Sequence, residues 1–172
     1  MRKQQKGFSL IELLIVVAII LIIAAIAIPN LMRARMAAND SSAAASERTV
    51  VTAEIGYFAA YPTLGYPLTL GPLGGASPCT PLPASGCLID NNLATNGAGN
   101  GKSGYNFVAT GIIAAPSLIP NEFYTTAAPL SAQTGTKSFC AFDDGVVRTA
   151  LPGVIAVVGG YAACQGLLPM SN

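Results

Sequence analysis

The sequence contains no histidine and no tryptophan, and only 10% of its 172 residues are charged, against roughly 25% in an average soluble domain. Without histidine, the chain cannot supply a Ser-His-Asp or Cys-His catalytic group or a histidine-ligated metal site. A formal net charge of +1 provides no bulk attraction to nucleic acid. No catalytic or metal-binding cluster stands out. We therefore expect a structural or binding protein with no cofactor and no metal, rather than an enzyme.

The N-terminal region is a long apolar segment behind a basic tip. Three basic residues lie within the first six positions, and an uncharged apolar run extends from Leu13 to Ile28. As a helix, residues 8–32 would be about 37 Å long, enough to cross a hydrocarbon core of ~30 Å. The only charge in that stretch is Glu12. The basic tip predicts a cytoplasmic N-terminus and export of the rest of the chain.

Residues 30–61 are predicted to continue the helix with an amphipathic pattern. One apolar stripe is expected, formed by Ala44, Val51, Ile55 and Phe58. Acidic residues recur every seven positions on another face, at Asp40, Glu47 and Glu54, with Arg33 one repeat earlier. The simplest interpretation of that face is a solvated one. The alternative is ion pairing between subunits, worth under ~1 kcal/mol per exposed pair.

Residues 62–172 hold 16 of the 18 glycines and 11 of the 12 prolines, a composition typical of short strands between turns. The predicted strands are Tyr105–Ala109, Glu122–Thr126, Ser138–Phe142 and Val146–Thr149, and Val154–Val158 is a further candidate. Residues 71–104 and 128–136 are predicted to be ordered loops. All four cysteines lie in this region, where export would favour disulfides. The residues alone leave all three connectivities open.

Three interpretations compete for the N-terminal segment. It could be a secretory signal peptide cut after Ala25-Ile26-Ala27, a plain membrane anchor, or a signal that is cut before the apolar run and leaves that run on the product. A carboxylate within a membrane helix costs roughly 2.5–3.5 kcal/mol or more. Because a disposable signal or a plain anchor gains nothing from Glu12, we favour the third interpretation.

The stretch from Lys6 to Ile19, KGFSLIELLIVVAI, resembles the type IV prepilin processing motif. Residues 27–30, AIPN, also fit the type IV pilins and the pseudopilins of type II secretion. Three downstream segments are similar to some bacterial pilin-like proteins: GYNF at 104–107, SFC at 138–140 and DGVVR at 144–148.

This resemblance implies roles for individual residues. Prepilin peptidase would cut between Gly7 and Phe8 and then methylate the Phe8 amine. Glu12 would serve assembly, because the new amine is a cation in a membrane setting and Glu12 is the nearest anion. Pairing Glu12 with the Phe8 amine of a neighbouring subunit would neutralise both charges. Pro29 would be a weak point where the helix kinks or melts locally in a filament.

The resemblance also implies the disulfides and the partners. Cys79–Cys87 would close a proline-rich loop, and Cys140–Cys164 would tie the C-terminal segment to the sheet. The subunit would wait in the inner membrane with its head in the periplasm and form a helical homo-oligomeric filament. An inner-membrane assembly platform and its ATPase would drive this step.

We therefore predict an α+β fold: a long N-terminal helix packed on a small antiparallel sheet, with a disulfide-stabilised C-terminal region. The predicted parts are a leader at 1–7, a transmembrane and filament-core helix at 8–29, an amphipathic helix at 30–61 and a β-rich head at 62–172. The predicted function is that of a structural pilin subunit. The alternatives are a pseudopilin of a short periplasmic filament, or a secreted binding or adhesive domain with an ordinary signal peptide.

Overall fold

A computed structural model describes residues 8–150 and 160–170 of the chain. The predicted leader, which includes Gly7, and the strand candidate Val154–Val158 lie outside the described residues. The chain divides into two compact units, Met1–Arg35 and Met36–Asn172. Each unit is described by itself below.

The first element is the helix α1, Leu10–Ala60. It ends two residues before Pro62, which has no N–H to continue the helical hydrogen bonds. Pro29 lies inside α1, and the helix continues through it. A kink or local melting at Pro29 in an assembled filament therefore stays a prediction.

A five-stranded antiparallel sheet follows, in the spatial order β1-β2-β3-β4-β5. Its strands are β1 Tyr105–Ile112, β2 Glu122–Pro129, β3 Phe139–Phe142, β4 Arg148–Thr149 and β5 Leu168–Pro169. The first four confirm predicted strands, although β1 and β2 are each three residues longer than expected and β4 is two residues shorter. Strand β5 was not predicted, because two residues containing a proline carry no strand signal.

Short helices occupy parts of the regions predicted as loops or left unassigned. They are the helices α2, Asn91–Ala94, and α3, Tyr161–Gln165, with single 3-10 turns at Gly71–Leu73 and Gly97–Gly99. The Asp90 side chain accepts the Leu93 amide N–H and so caps α2. Elements of three to five residues are too short to show a helical period, so the sequence pattern could not predict them.

The main core lies between the head half of α1 and one face of the sheet. From α1 it includes Ala43, Ala44, Val50, Val51, Ala53 and Tyr57, and from the sheet it includes Tyr105, Phe107, Ala109, Phe123, Phe139 and Ala141. Buried and partly exposed residues alternate along β1, as expected for a strand with one covered face. The small alanines let the helix backbone approach the sheet closely.

A second, smaller cluster covers part of the opposite face of β3. It contains Cys140, Phe142, Ala150 and Cys164, with Tyr124, Tyr161 and Leu167 packed against it. The Cys140–Cys164 disulfide joins β3 to α3 here. The structure thus places a helix-covered face and a disulfide-linked face on one small sheet.

The pattern of α1 was partly misinterpreted. Asp40, Glu47 and Glu54 are buried against the head, so the predicted solvated face is wrong. In the expected apolar stripe, Ala44 and Val51 are buried as predicted, but Ile55 is 48% exposed. A heptad spacing shows which residues share a face without showing which face the sheet covers.

Candidate assembly surface

The first half of α1 exposes apolar side chains all round. Every described residue from Phe8 to Arg35 is exposed except Ala24, which is half-buried. A helix that is apolar on all sides is normally covered by lipid or protein. By length and composition, α1 is the one helix among the described residues that could cross a membrane. This half of α1 is the candidate assembly surface.

Glu12 contacts the start of its own helix. Its Oε2 accepts the Ser9 backbone N–H at 3.0 Å, and the Ser9 carbonyl accepts the Glu12 and Leu13 N–H groups at 3.1 and 3.2 Å. Ser9 therefore caps α1, with Glu12 at the third helical position. This contact was not predicted, although Ser9-Leu10-Ile11-Glu12 has the Ser-x-x-Glu spacing of a capping box.

The predicted assembly residues are spread along the helix and do not form one pocket. Phe8 is 77% exposed and lies just before the capping residue Ser9. Glu12 is in the first turn, and Pro29 lies seventeen residues further on, about 25 Å along a helix. The surface could therefore pack against other helices along its length.

Asp40 connects the head half of α1 to β1 and the loop before β3. Its Oδ1 lies 2.5 Å from the Tyr105 hydroxyl, and its oxygens accept the Thr136 N–H at 3.1 Å and the Thr136 hydroxyl at 2.7 Å. The Tyr105 hydroxyl is also 2.8 Å from the Lys137 carbonyl. Burial, followed by the bond to Asp40, raises the pKa of Tyr105. The phenol is thus a neutral donor that fixes the loop to α1.

The other two buried acidic residues of α1 have little or no polar contact. Glu47 accepts one hydrogen bond, from the Thr125 hydroxyl at 2.5 Å. Neither oxygen of Glu54 has a hydrogen-bond partner among the described residues. Burial raises the pKa of Glu47 to about 8, although the Thr125 bond opposes the shift, and burial alone raises the pKa of Glu54 to about 8.

The two disulfides cross-link different segments of the head. Cys79–Cys87 closes the proline-rich loop after α1, and Cys140–Cys164 links β3 to α3, which is the pairing that the resemblance implied. Within the first loop, the Pro83 carbonyl accepts the Tyr57 hydroxyl of α1 at 2.7 Å. The cross-link and this hydrogen bond together hold the loop against the helix.

The acidic turn after β3 is engaged in protein contacts. Asp144 forms an ion pair with Arg148 at 2.6 Å, and the Asp143 carboxylate accepts the Tyr161 hydroxyl at 2.8 Å. Within the described residues, no group of three or more acidic or cysteine side chains could hold a metal ion. Arg148 of β4 and Tyr161 of α3 thus hold the two aspartates of this turn in place.

Comparison with known proteins gives matches over part of the chain. Residues 2–28 match the family model described as "Prokaryotic N-terminal methylation motif". The chain is 59% identical over 51 residues to the type IV wide pilus major component PilA4 of Thermus thermophilus, covering 30% of this chain and 33% of that protein. It is 46% identical over 55 residues to the type IV major pilin protein PilA of Myxococcus xanthus, covering 32% of this chain and 25% of that protein.

The matched stretch thus spans about a third of the length of the first relative and a quarter of the second. No solved structure matches the chain. The head is therefore described here from its own residues, without a structural relative.

Proposed function

We propose that this chain, whose methylation motif and relatives support a type IV pilin family, is the repeating structural subunit of a type IV pilus-like filament. The observation that carries the proposal is the apolar half of α1, which is exposed on all sides and carries a single carboxylate near its start. A structural subunit of this kind requires no catalytic site. Its activity is to associate with copies of itself.

In the proposed mechanism, the helices of neighbouring subunits replace lipid around the apolar half of α1. The subunit waits in the inner membrane with its C-terminal head in the periplasm, and the apolar half of α1 lies in the hydrocarbon core. Leaving the bilayer would expose this apolar surface to water, at a free-energy cost of roughly 25 cal/mol per Å². Packing against the helices of neighbouring subunits removes that cost. The assembly platform and ATPase supply the work of extraction.

Processing creates the charge that Glu12 would neutralise. Cleavage between Gly7 and Phe8 by prepilin peptidase frees the Phe8 amine, which is then methylated and stays cationic. In the filament, this amine would pair with Glu12 of the adjacent subunit and fix the axial register. Breaking a buried ion pair by removing one partner costs ~3–5 kcal/mol, because the remaining charge stays buried without a partner. Loss of either group should therefore weaken the contact between subunits.

The N-terminus of the mature protein tests this proposal directly. We expect mass spectrometry to find a chain that starts at a methylated Phe8. A chain that starts at Ile28 would instead identify a discarded signal peptide and a secreted domain. A bulky residue in place of Gly7 should block processing, and a mature-sized product from that variant would contradict cleavage by this peptidase.

Glu12→Ala tests the pairing. The variant should insert into the membrane at least as well as the wild type, because it removes a carboxylate from the hydrocarbon core, but it should assemble poorly. Leu14→Ala is the matched control on the same exposed helix. Normal filaments from Glu12→Ala would overturn the pairing model.

Both relatives are named as pilus components, which favours a surface pilus over the short pseudopilus of type II secretion. Electron microscopy of cells that express the chain separates these two functions. Long surface fibres labelled by an antibody to the head would support the pilus. Labelling confined to the periplasm would support the pseudopilus.

A further inference from the structure

Two acidic residues of α1 are buried in the head without the contacts that an ionised carboxylate needs. Asp40, Glu47 and Glu54 follow one another at seven-residue intervals on the helix face that meets the sheet. Asp40 is satisfied by Tyr105 and Thr136. Glu47 and Glu54 differ from it sharply, although they share its face.

The burial of both glutamates is complete. Each side chain is 0% exposed. Glu47 uses Oε1 to accept the Thr125 hydroxyl, and its Oε2 has no partner among the described residues. Both Oε atoms of Glu54 are likewise without a partner there. Three buried carboxyl oxygens therefore lack any hydrogen bond from the described part of the chain.

No cation of the described residues balances these groups. The ion pairs found there are Lys102–Asp90 and Arg148–Asp144. On α1 itself, Arg48 follows Glu47 but is exposed. From the sheet, Glu47 is faced by the uncharged Thr125 hydroxyl.

Among the described residues, two phenols interact electrostatically with Glu54. They are Tyr57 on α1 and Tyr66 on the loop after it, and Tyr66 also interacts with Asp143. The pKa of each phenol is raised, chiefly by burial, so both phenols are neutral at physiological pH. The surroundings of Glu54 thus contribute no positive charge.

An isolated carboxylate is far more costly to bury than a neutral carboxyl group, and a buried acid without a partner responds by keeping its proton. We propose that Glu47 and Glu54 are a pair of proton-binding sites, both neutral in the folded head, so that the packing of α1 on the sheet depends on bound protons. Burial raises the pKa of each group to about 8, in agreement with this geometry. The proposal concerns the head alone and holds whether or not the subunit forms filaments.

The sign of the pH effect follows from the two pKa values. In the unfolded chain each glutamate titrates near its ordinary pKa of 4.5, whereas in the folded head it titrates near 8. Below the lower value both states bind the proton, and stability is greatest. Between the two values only the folded state binds it, so each group shifts the unfolding equilibrium roughly tenfold toward unfolding per pH unit. Above the folded pKa the effect levels off.

The experiment is chemical unfolding of the full chain in detergent micelles between about pH 5 and about pH 8. The chain has no histidine, so apart from the α-amino group, which all variants share, no ordinary side chain titrates in this window. The wild-type unfolding constant should rise by up to roughly a hundredfold per pH unit. Either single variant, Glu47→Gln or Glu54→Gln, should show about half that slope on a logarithmic scale, and the double variant almost none.

Glu122→Gln is the matched control, because Glu122 is a partly exposed carboxylate on β2 and its variant should keep the wild-type slope. Infrared spectroscopy near pH 6 provides a second readout, since the carbonyl stretch of protonated carboxylic acids should be present in the wild type and lost in the double variant. A wild-type stability that does not change across the window would overturn the proposal. So would a spectrum in which the double variant loses only ionised carboxylate bands.

Discussion

Removing one hydroxyl group tests whether Asp40 fastens α1 to the rest of the head. In the variant Tyr105→Phe, the fully buried ring remains in the core, but the hydroxyl that lies 2.5 Å from the Asp40 carboxylate and 2.8 Å from the Lys137 carbonyl is lost. Asp40 keeps its two contacts with Thr136. The variant therefore removes one donor, the phenol hydroxyl, and leaves the other hydrogen bonds of Asp40 in place.

The expected cost follows from that geometry. A hydrogen bond to a charged group contributes ~1.5–3 kcal/mol, and an acceptor left without its donor adds a desolvation penalty. Because Asp40 is only 8% exposed, water cannot easily replace the phenol. We expect Tyr105→Phe to lower the free energy of unfolding by about 2–3 kcal/mol, which corresponds to a fall in Tm on the order of 8 °C for a domain of this size.

Thermal unfolding of the full chain in micelles, followed by the near-ultraviolet circular dichroism of its tyrosines, measures this effect. Tyr124→Phe is the control, because Tyr124 is half-buried on β2 and its hydroxyl contacts no partner among the described residues. The control should change stability by less than about 0.5 kcal/mol. If Tyr105→Phe were as stable as the control, the proposed role of the Asp40 contact would be refuted.

Three further predictions concern the disulfides, the cap of α1 and a closely packed glycine. Replacing both cysteines of the Cys140–Cys164 disulfide, whose cysteines are 24 residues apart, should lower the free energy of unfolding by about 3.5 kcal/mol. This loss is roughly 1 kcal/mol larger than that expected for Cys79–Cys87, whose cysteines are eight residues apart. Denaturant midpoints check the order of the two losses, and equal losses would contradict it. Glu12→Gln should keep the cap on α1, because glutamine also serves at that position of a capping box. It should nevertheless assemble as poorly as the alanine variant, which quantitative electron microscopy of filaments tests. Wild-type filament yields from this variant would show that the charge of Glu12 is unimportant. Gly135→Ala should destabilise the head by about 1–3 kcal/mol, since a Cβ there would lie within 2.7 Å of the hydroxyl oxygen and two ring carbons of the buried Tyr105. An unchanged unfolding midpoint would be the contrary result.

The strands and the long helix could be predicted because their signals are local. An apolar run without proline before Pro29 specifies a helix in any environment, and the strands β1 to β4 follow runs of β-branched and aromatic residues between turns. The cap at Ser9 could also be predicted, because the Ser-x-x-Glu spacing is local. Glu12 was instead predicted only to pair with another subunit.

The sequence by itself determined that the chain has an apolar segment with one carboxylate, a seven-residue acidic repeat and four cysteines in a β-rich region. Only the tertiary structure decided that the repeat faces the sheet, that Asp40 is satisfied while Glu47 and Glu54 are not, and which cysteines pair. The physical reason is that spacing along a chain fixes the direction of a side chain relative to its own helix axis. What lies in that direction, and hence whether a carboxyl group meets water, a donor or a dry core, depends on residues distant in sequence that the fold brings to the helix.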